Sequence, residues 1–157
     1  MNERLAPCPR MLTVKPPRIA LSLVLAAGVL HIAMPSFWPV LPASGVGGFL
    51  LGVLGFGIML RAWWLFRICE TAICPTAATT VLITSDVYRL TRNPMYLGIL
   101  LMLLGTALAA GSLPCYVAAL VFFLIIDFVF CPYEESRLET GFGSEYAGYR
   151  RAVRRWL

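Results

Sequence analysis

Two short polar motifs carry the residues of this chain that could do chemistry. The first runs from Arg92 to Gly98 (RNPMYLG), and the second begins at Glu134 and Glu135 and continues through FGSEY at 142–146. An arginine can clamp a carboxylate through two parallel hydrogen bonds, and a tyrosine ring can face a cationic centre. A carboxylate can accept hydrogen bonds from a ribose diol or an ammonium group. If the two motifs converge, they predict a site for a charged, water-soluble cofactor.

Each motif also has a purely structural explanation. Asn93 is a good helix N-cap residue and Pro94 is favoured at the first helical position, so the first motif could simply begin a helix that Arg92 anchors at the interface. Glu134 and Glu135 could be two acids in a solvated first turn, where the helix dipole favours anions. Adjacent side chains on a helix point about 100° apart, so we expect only one of the two carboxylates to face a ligand.

The elements that would bring the motifs together are membrane-spanning helices. The chain has 157 residues, of which 59% are hydrophobic and only 13% charged, whereas a soluble domain carries about 25% charge. Its four apolar stretches are each near the roughly 20 residues that a helix needs to cross a hydrocarbon core. We therefore expect an all-α integral membrane protein, a single domain over residues 1–157. Its predicted parts are a tail at 1–18, four transmembrane helices at roughly 19–40, 45–66, 95–113 and 114–131, and an amphipathic helical tail at 132–157.

The basic residues predict how this bundle is oriented. All 13 lie in the regions 4–18, 61–92 and 137–155, and the connections near 35–44 and 111–114 have none. By the positive-inside rule, both termini and the middle basic region face the cytoplasm, so both motifs would meet on that face. Because the basic residues flank spans, they indicate topology, and we expect membrane lipids but no nucleic acid as partners. No feature indicates an obligate protein partner.

Two polar residues lie inside the predicted spans. Asp127 is near the cytoplasmic end of the last span, and an intramembrane acid is a functional hypothesis by default. Arg61, similarly placed in the second span, is its expected partner, and both a structural ion pair and a direct role in the site remain open. His31, in the middle of the first span, more often makes a helix–helix hydrogen bond than serves as a base or ligand.

Several other chemistries are absent from the sequence. The five cysteines have no metal-ligand spacing, and we interpret them as small apolar filler. There is no Ser/His/Asp set and no phosphate-binding glycine loop, so neither a hydrolase nor a metal site is expected.

The two motifs together resemble a known enzyme family. The run TSDVYRLTRNPMYLG at 84–98, the apolar hairpin, and EESRLETGFGSEYAGYRRAVRRW at 134–156 are similar to isoprenylcysteine carboxyl methyltransferases and the related phospholipid methyltransferases. The resemblance covers roughly residues 55–157. It implies a methyltransferase that uses S-adenosylmethionine (SAM) on a lipophilic acceptor entering from the bilayer. The compact chain suggests a prokaryotic member in the inner or plasma membrane, with its site facing the cytoplasm.

Carried over by position, the resemblance implies a set of cofactor-binding residues drawn from both motifs, with Arg92 and Glu135 also catalytic. The set is Tyr88, Arg92, Asn93, Pro94, Met95, Tyr96, Glu134 and Glu135. Two positions depart from the family pattern. Asp86 stands where a glycine is common and takes a positive φ less easily. Asn93 stands where the eukaryotic prenylcysteine enzymes have histidine, so a proton-transfer role at that position is excluded.

The acceptor stays open between a prenylated thioether carboxylate, a lipid amine and a small thiol. An ionised carboxylate or thiolate needs no base, but an amine must lose a proton, for which Glu135 or Asp127 would be candidates. Two alternatives are a membrane NADPH-dependent reductase of similar architecture and a non-enzymatic membrane protein whose motifs are only helix caps and anchors.

Overall fold

Helices make up the regular structure of the chain. The computed structural model describes residues 15–34, 37, 39, 41–68 and 81–157, and no β-strand occurs among them. Residues 1–14 of the predicted N-terminal tail, together with Cys8, Cys69 and Cys74, lie outside the described residues. The elements are α1 (Pro16–Ala33), α2 (Gly45–Ile68), a 3₁₀ turn (Asp86–Arg89), α3 (Pro94–Ala110), α4 (Leu113–Ile125), a π-helical turn (Ile126–Phe130) and α5 (Cys131–Ala152).

The described helices confirm an all-α membrane protein. Three of them are long and apolar enough to cross a membrane: Pro16–Ala33, Gly45–Ile68 and the continuous helix Leu113–Ala152. The fourth, Pro94–Ala110, is a shorter apolar helix. Large apolar side chains such as Phe49, Leu50 and Phe56 of α2 are exposed on the bundle, as expected for helices that lipid surrounds.

The first span differs from its predicted bounds of 19–40. Helix α1 begins at Pro16 and ends at Ala33. The sequence that follows has prolines at 35, 39 and 42, which have no N–H to continue a helix. The prediction that His31 lies in the middle of the span is therefore wrong. His31 is in the last turn of α1, where it is half-buried.

The predicted hairpin between the last two spans is confirmed. Gly111 ends α3 in the left-handed conformation (φ 56°), and α4 begins two residues later at Leu113. A Cβ on Gly111 would lie 2.7 Å from the carbonyl oxygen of Leu41. Glycine thus provides both the turn and room for the neighbouring segment.

Helices α2 and α3 pack against each other through pairs of glycines. A Cβ on Gly48 would lie 2.5 Å from the carbonyl oxygen of Gly105, and a Cβ on Gly98 would lie 2.5 Å from that of Gly55. Small residues allow such close approach between helices in lipid. Gly48 and Gly55 of α2 therefore serve packing within the chain, and Gly98 of the first motif fixes the start of α3 against α2.

Helix α4 continues into α5 without a break. The π-helical turn Ile126–Phe130 joins them, and Ile126 and Phe130 are fully buried in a core shared with Phe122 and Tyr96. Single π-helical turns occur frequently at functional sites. This one contains Asp127 and places it directly before the second motif.

The C-terminal tail is only partly the helical tail predicted for 132–157. Helix α5 has a kink at Gly143 (φ 49°) and ends at Ala152, whereas Gly141 does not interrupt it. Val153 is extended, so the helix does not reach the predicted end at 157. We call residues 153–157 the C-terminal segment. It lies against the first motif, because the backbone N–H of Arg92 donates to the carbonyl oxygen of Arg154 at 3.0 Å.

Candidate functional site

The two motifs meet in a buried ion pair. Arg92 lies just before α3 and Glu135 is the fifth residue of α5, and Nη1 of Arg92 is 3.1 Å from Oε1 of Glu135. The two side chains are only 10% and 9% exposed. The chain therefore brings together an arginine of the first motif and a carboxylate of the second that lie 43 positions apart in the sequence.

A second arginine, Arg155 of the C-terminal segment, holds the same carboxylate. Its Nε and Nη2 lie 2.8 Å from Oε1 and Oε2 of Glu135. This is the bidentate geometry that makes arginine–carboxylate pairs strong. Glu135 thus lies between two guanidinium groups, which offset the cost of removing its charge from water.

Asp127 is paired with the C-terminal segment and not with Arg61, so that predicted pair is wrong. Nη1 of Arg155 lies 3.0 Å from Oδ1 of Asp127, and the indole Nε1 of Trp156 donates to the same oxygen at 2.9 Å. The reason is that the chain turns back after Ala152 and brings Arg155 over the π-helical turn. Arg61 instead lies beside the 3₁₀ turn.

The partner of Arg61 is Asp86, the residue that departs from the family pattern. Asp86 has a positive φ of 59°. Its Oδ1 accepts a hydrogen bond from the backbone N–H of Val87 at 2.8 Å, and its Oδ2 accepts one from Nε of Arg61 at 3.0 Å. The hydrogen bond from Arg61 lowers the pKa of Asp86. Aspartate is one of the few non-glycine residues that tolerate this conformation, and both hydrogen bonds stabilise it here.

The neighbouring carboxylate, Glu134, faces a different group. Tyr96 in the first turn of α3 donates its hydroxyl hydrogen to Oε1 of Glu134. Glu134 and Glu135 thus diverge, as their helical spacing predicts. Glu134 lies beyond the apolar run that ends at Cys131, and burial raises its pKa to about 7 while the hydrogen bond from Tyr96 opposes the rise.

The rest of the first motif supports the ion-pair network. Pro94 occupies the first turn of α3 as predicted, but Asn93 makes no side-chain cap. Its amide Nδ2 instead donates to the carbonyl oxygen of Arg155 at 3.2 Å, and the hydroxyl of Thr91 donates to the same oxygen at 2.8 Å. These residues therefore hold the C-terminal segment in place.

Tyr88 and Met95 lie in a separate apolar cluster. Tyr88 is 7% exposed and packs edge-on against Phe66 at a centroid distance of 5.9 Å, and Met95 contacts the same cluster. Burial raises the pKa of Tyr88, so it stays a neutral phenol. Tyr149 links this cluster to α5, because its hydroxyl donates to the carbonyl oxygen of Tyr88 at 2.7 Å.

Three residues of this site are missing from the sequence-based set. Arg155 and Tyr149 are described above, and Tyr146, which is 1% exposed, accepts a hydrogen bond from Nη1 of Arg92 at 3.1 Å. From the sequence, Arg155 contributes only to the prediction of how the bundle is oriented in the membrane. The signal that could have found it is Asp127, because a buried acid needs a basic or hydrogen-bonding neighbour.

Comparison with known proteins gives one family and one relative. A family model described as "Phospholipid methyltransferase" matches residues 43–145, a range that contains the first motif and all of the second except its last residue, Tyr146. A protein of Haemophilus influenzae, described only as uncharacterized, is 41% identical over 63 residues, which are 40% of this chain and all of that protein. No solved structure matches the chain.

Proposed function

The chain belongs to the phospholipid methyltransferase family, and from this premise we propose that it transfers a methyl group from SAM to a lipophilic acceptor at the cytoplasmic face of a prokaryotic membrane. The observation that carries the proposal is the buried Arg92–Glu135 pair, in which both motifs meet at one end of the bundle. The basic side chains of Arg150, Arg151 and Arg154 are exposed at the same end. Their position supports the cytoplasmic orientation, with both termini on that side.

The described residues fit the polar groups of SAM. Nε of Arg92 is buried and has no hydrogen-bond partner among the described residues. Since buried donors are nearly always satisfied, it is suited to the carboxylate of the methionine moiety. Glu134, when ionised, is suited to the ammonium group or the ribose hydroxyls. Arg92 and Glu134 would thus hold opposite charges of the same cofactor, with Tyr96, whose hydroxyl donates to Glu134, beside them.

The proposed reaction requires alignment of the acceptor with the methyl group more than it requires acid–base catalysis. The cofactor supplies a methyl group on a positively charged sulfur. For such a displacement the protein has to align the acceptor and exclude water. The buried rings of Tyr96 and Phe130, whose centroids are 6.5 Å apart, provide an apolar wall beside Glu134. Exposed apolar side chains on α1 and α2 leave the bundle accessible to a lipophilic acceptor from the bilayer.

For an amine acceptor the structure changes the choice of base. The carboxylates of both Glu135 and Asp127 are already occupied by the guanidinium of Arg155. Glu134 has a pKa raised by burial to about 7, which is close to the value that suits proton transfer near neutral pH. Glu134 would therefore serve as the base for an amine acceptor only where it does not also bind the ammonium group of SAM. A carboxylate or thiolate acceptor would need no base.

Calorimetry on the detergent-purified protein tests the proposal. SAM and its demethylated product, S-adenosylhomocysteine, are titrated in parallel with NADPH. We expect saturable binding of the first two and none of NADPH. Binding of NADPH alone would favour a reductase, and the absence of binding by a monodisperse, folded preparation would favour a non-enzymatic role.

A further inference from the structure

Arg155 contacts three separate parts of the candidate site. Its guanidinium binds both oxygens of Glu135 in α5 and Oδ1 of Asp127 in the π-helical turn. Its carbonyl oxygen accepts hydrogen bonds from Thr91, just before the first motif, and from Asn93 within it. Arg155 lies beyond residues 43–145, the range that matches the family model, so the family match assigns it no role.

The two arginines bind Glu135 in different ways. Arg155 takes both oxygens of Glu135, whereas Arg92 reaches only Oε1, through Nη1. Nε of Arg92 is left without a partner among the described residues. If Arg155 were absent, Glu135 would have a free oxygen, and the fork of Arg92 could close on it in the bidentate geometry that guanidinium and carboxylate favour.

We propose that Arg155 is a positioning residue that occupies Glu135 and so keeps Arg92 available to the cofactor carboxylate. This inference rests on the proposed function, because it gives Arg92 a cofactor to bind. Arg155 itself touches no reacting atom, and its effect passes through Glu135 to Arg92.

The alternative is that Arg155 only fastens the C-terminal segment. Several contacts of that segment do not use the Arg155 side chain: the carbonyl oxygens of Arg154 and Arg155 accept hydrogen bonds, and the ring of Trp156 packs at 5.2 Å from that of Phe123. Replacing the side chain alone should therefore leave the segment docked. This allows the positioning role to be separated from the fastening role.

The test compares SAM affinity by calorimetry in the full-length protein carrying Arg155→Ala, Arg155→Lys or the control Arg151→Ala, an exposed arginine of α5. We expect Arg155→Ala to weaken SAM binding about tenfold or more, the loss expected for a displaced charged donor. Arg155→Lys retains the charge but not the two parallel donors, so its SAM affinity should lie between those of Arg155→Ala and the wild type. Arg151→Ala should bind SAM as the wild type does. Melting temperatures of the same samples show whether each variant is folded.

A double-mutant comparison distinguishes positioning from fastening. In an Arg92→Lys background, residue 92 has no guanidinium to bind Glu135 through two hydrogen bonds. There Arg155→Ala should weaken SAM binding by less than about threefold, because the effects of substitutions at coupled residues do not add. The same loss in both backgrounds, or wild-type affinity in Arg155→Ala, would overturn this inference alone. Absence of SAM binding by the wild type would overturn the proposed function and the inference with it.

Discussion

Tyr96 donates a hydrogen bond to Glu134, so the two motifs touch at a second contact beside the Arg92–Glu135 pair. The two contacts differ in charge. Glu135 is neutralised by arginines, whereas Glu134 is held by a neutral phenol in a buried position that raises its pKa to about 7. The charge of Glu134 therefore changes near neutral pH.

This difference predicts a pH-dependent cofactor affinity. Below about pH 7 Glu134 is protonated and loses its attraction for an ammonium group, so SAM affinity should rise with pH through about 7 and level off above it. Calorimetry between pH 5.5 and 8.5, roughly one and a half pH units on either side of 7, checks this. For one titrating proton, the affinity changes at most about tenfold per pH unit. Glu134→Gln should bind more weakly at high pH and show a flat profile. A wild-type profile as flat as that of Glu134→Gln would contradict the role of Glu134.

The same shift predicts a pH-dependent stability with a defined sign. The pKa of the Glu134 carboxyl is near its ordinary value of 4.5 in the unfolded protein but about 7 in the folded protein. Its contribution to the free energy of unfolding is therefore complete below 4.5 and is lost as pH rises through about 7. Relative to Glu134→Gln, the wild type should melt at progressively lower temperature across this interval. A wild type that gains stability over Glu134→Gln across it would show that the carboxyl is not desolvated.

Variants of the central ion pair should separate binding from folding. We expect Arg92→Ala to abolish SAM binding and leave the protein folded, since Glu135 keeps both hydrogen bonds from Arg155. Glu135→Ala should also abolish binding but cost about 3 kcal/mol of stability, because it leaves buried guanidinium charge without its carboxylate. Calorimetry and thermal unfolding of each variant measure the two effects. Normal SAM affinity in both variants would contradict the site.

The glycine contact between α2 and α3 predicts a localised sensitivity to added volume. Gly98→Ala would place a Cβ 2.5 Å from the carbonyl oxygen of Gly55, and overpacking of this kind costs about 1–3 kcal/mol. Gly57→Ala is the matched control, since nothing lies within 4 Å of a Cβ there. Thermal unfolding in detergent should show a lower melting temperature only for Gly98→Ala. Equal melting temperatures would contradict the close helix contact.

Asp86 offers a test of backbone strain. At φ 59° an alanine costs about 1–2 kcal/mol relative to glycine, and the exposed ion pair with Arg61 contributes little by comparison. Asp86→Gly should therefore unfold at a higher temperature than Asp86→Ala by about that free-energy difference. Asp86→Asn, which keeps the local hydrogen bond to Val87, should lie near the wild type. If Asp86→Ala were as stable as Asp86→Gly, the left-handed conformation would be wrong.

The sequence predicts most of the bundle and the meeting of its two motifs. Apolar runs of spanning length, Pro94 at a helix start and Gly111 in a turn are local signals, and α2, α3 and the hairpin follow them closely. The partner of Asp127 could not be predicted in this way. It depends on the C-terminal segment turning back after Ala152, where the hydroxyl of Thr91 donates to the carbonyl oxygen of Arg155 and the backbone N–H of Arg92 donates to that of Arg154.

The π-helical turn limits prediction in a second way. One additional residue in a helical turn rotates every later side chain by about 100° relative to an uninterrupted α-helix. A helical pattern extended from α4 through Ile126–Phe130 would therefore assign Glu134 and Glu135 to the wrong faces. Which of the two meets Arg92 becomes apparent only from the structure.

The unbroken passage from α4 into α5 also makes the site responsive to the bilayer itself. A helix whose apolar part is longer than the local hydrocarbon thickness tilts, and a helix that is too short thins the lipid around it. Because α4 runs through the π-helical turn into α5 and the kink comes only at Gly143, a tilt of the apolar part carries Glu134 and Glu135 with it, while Arg92 moves with α3. In vesicles made from lipids of different acyl-chain length, the alignment of the two motifs should therefore have an optimum thickness, so that membrane composition sets how well the cofactor is held.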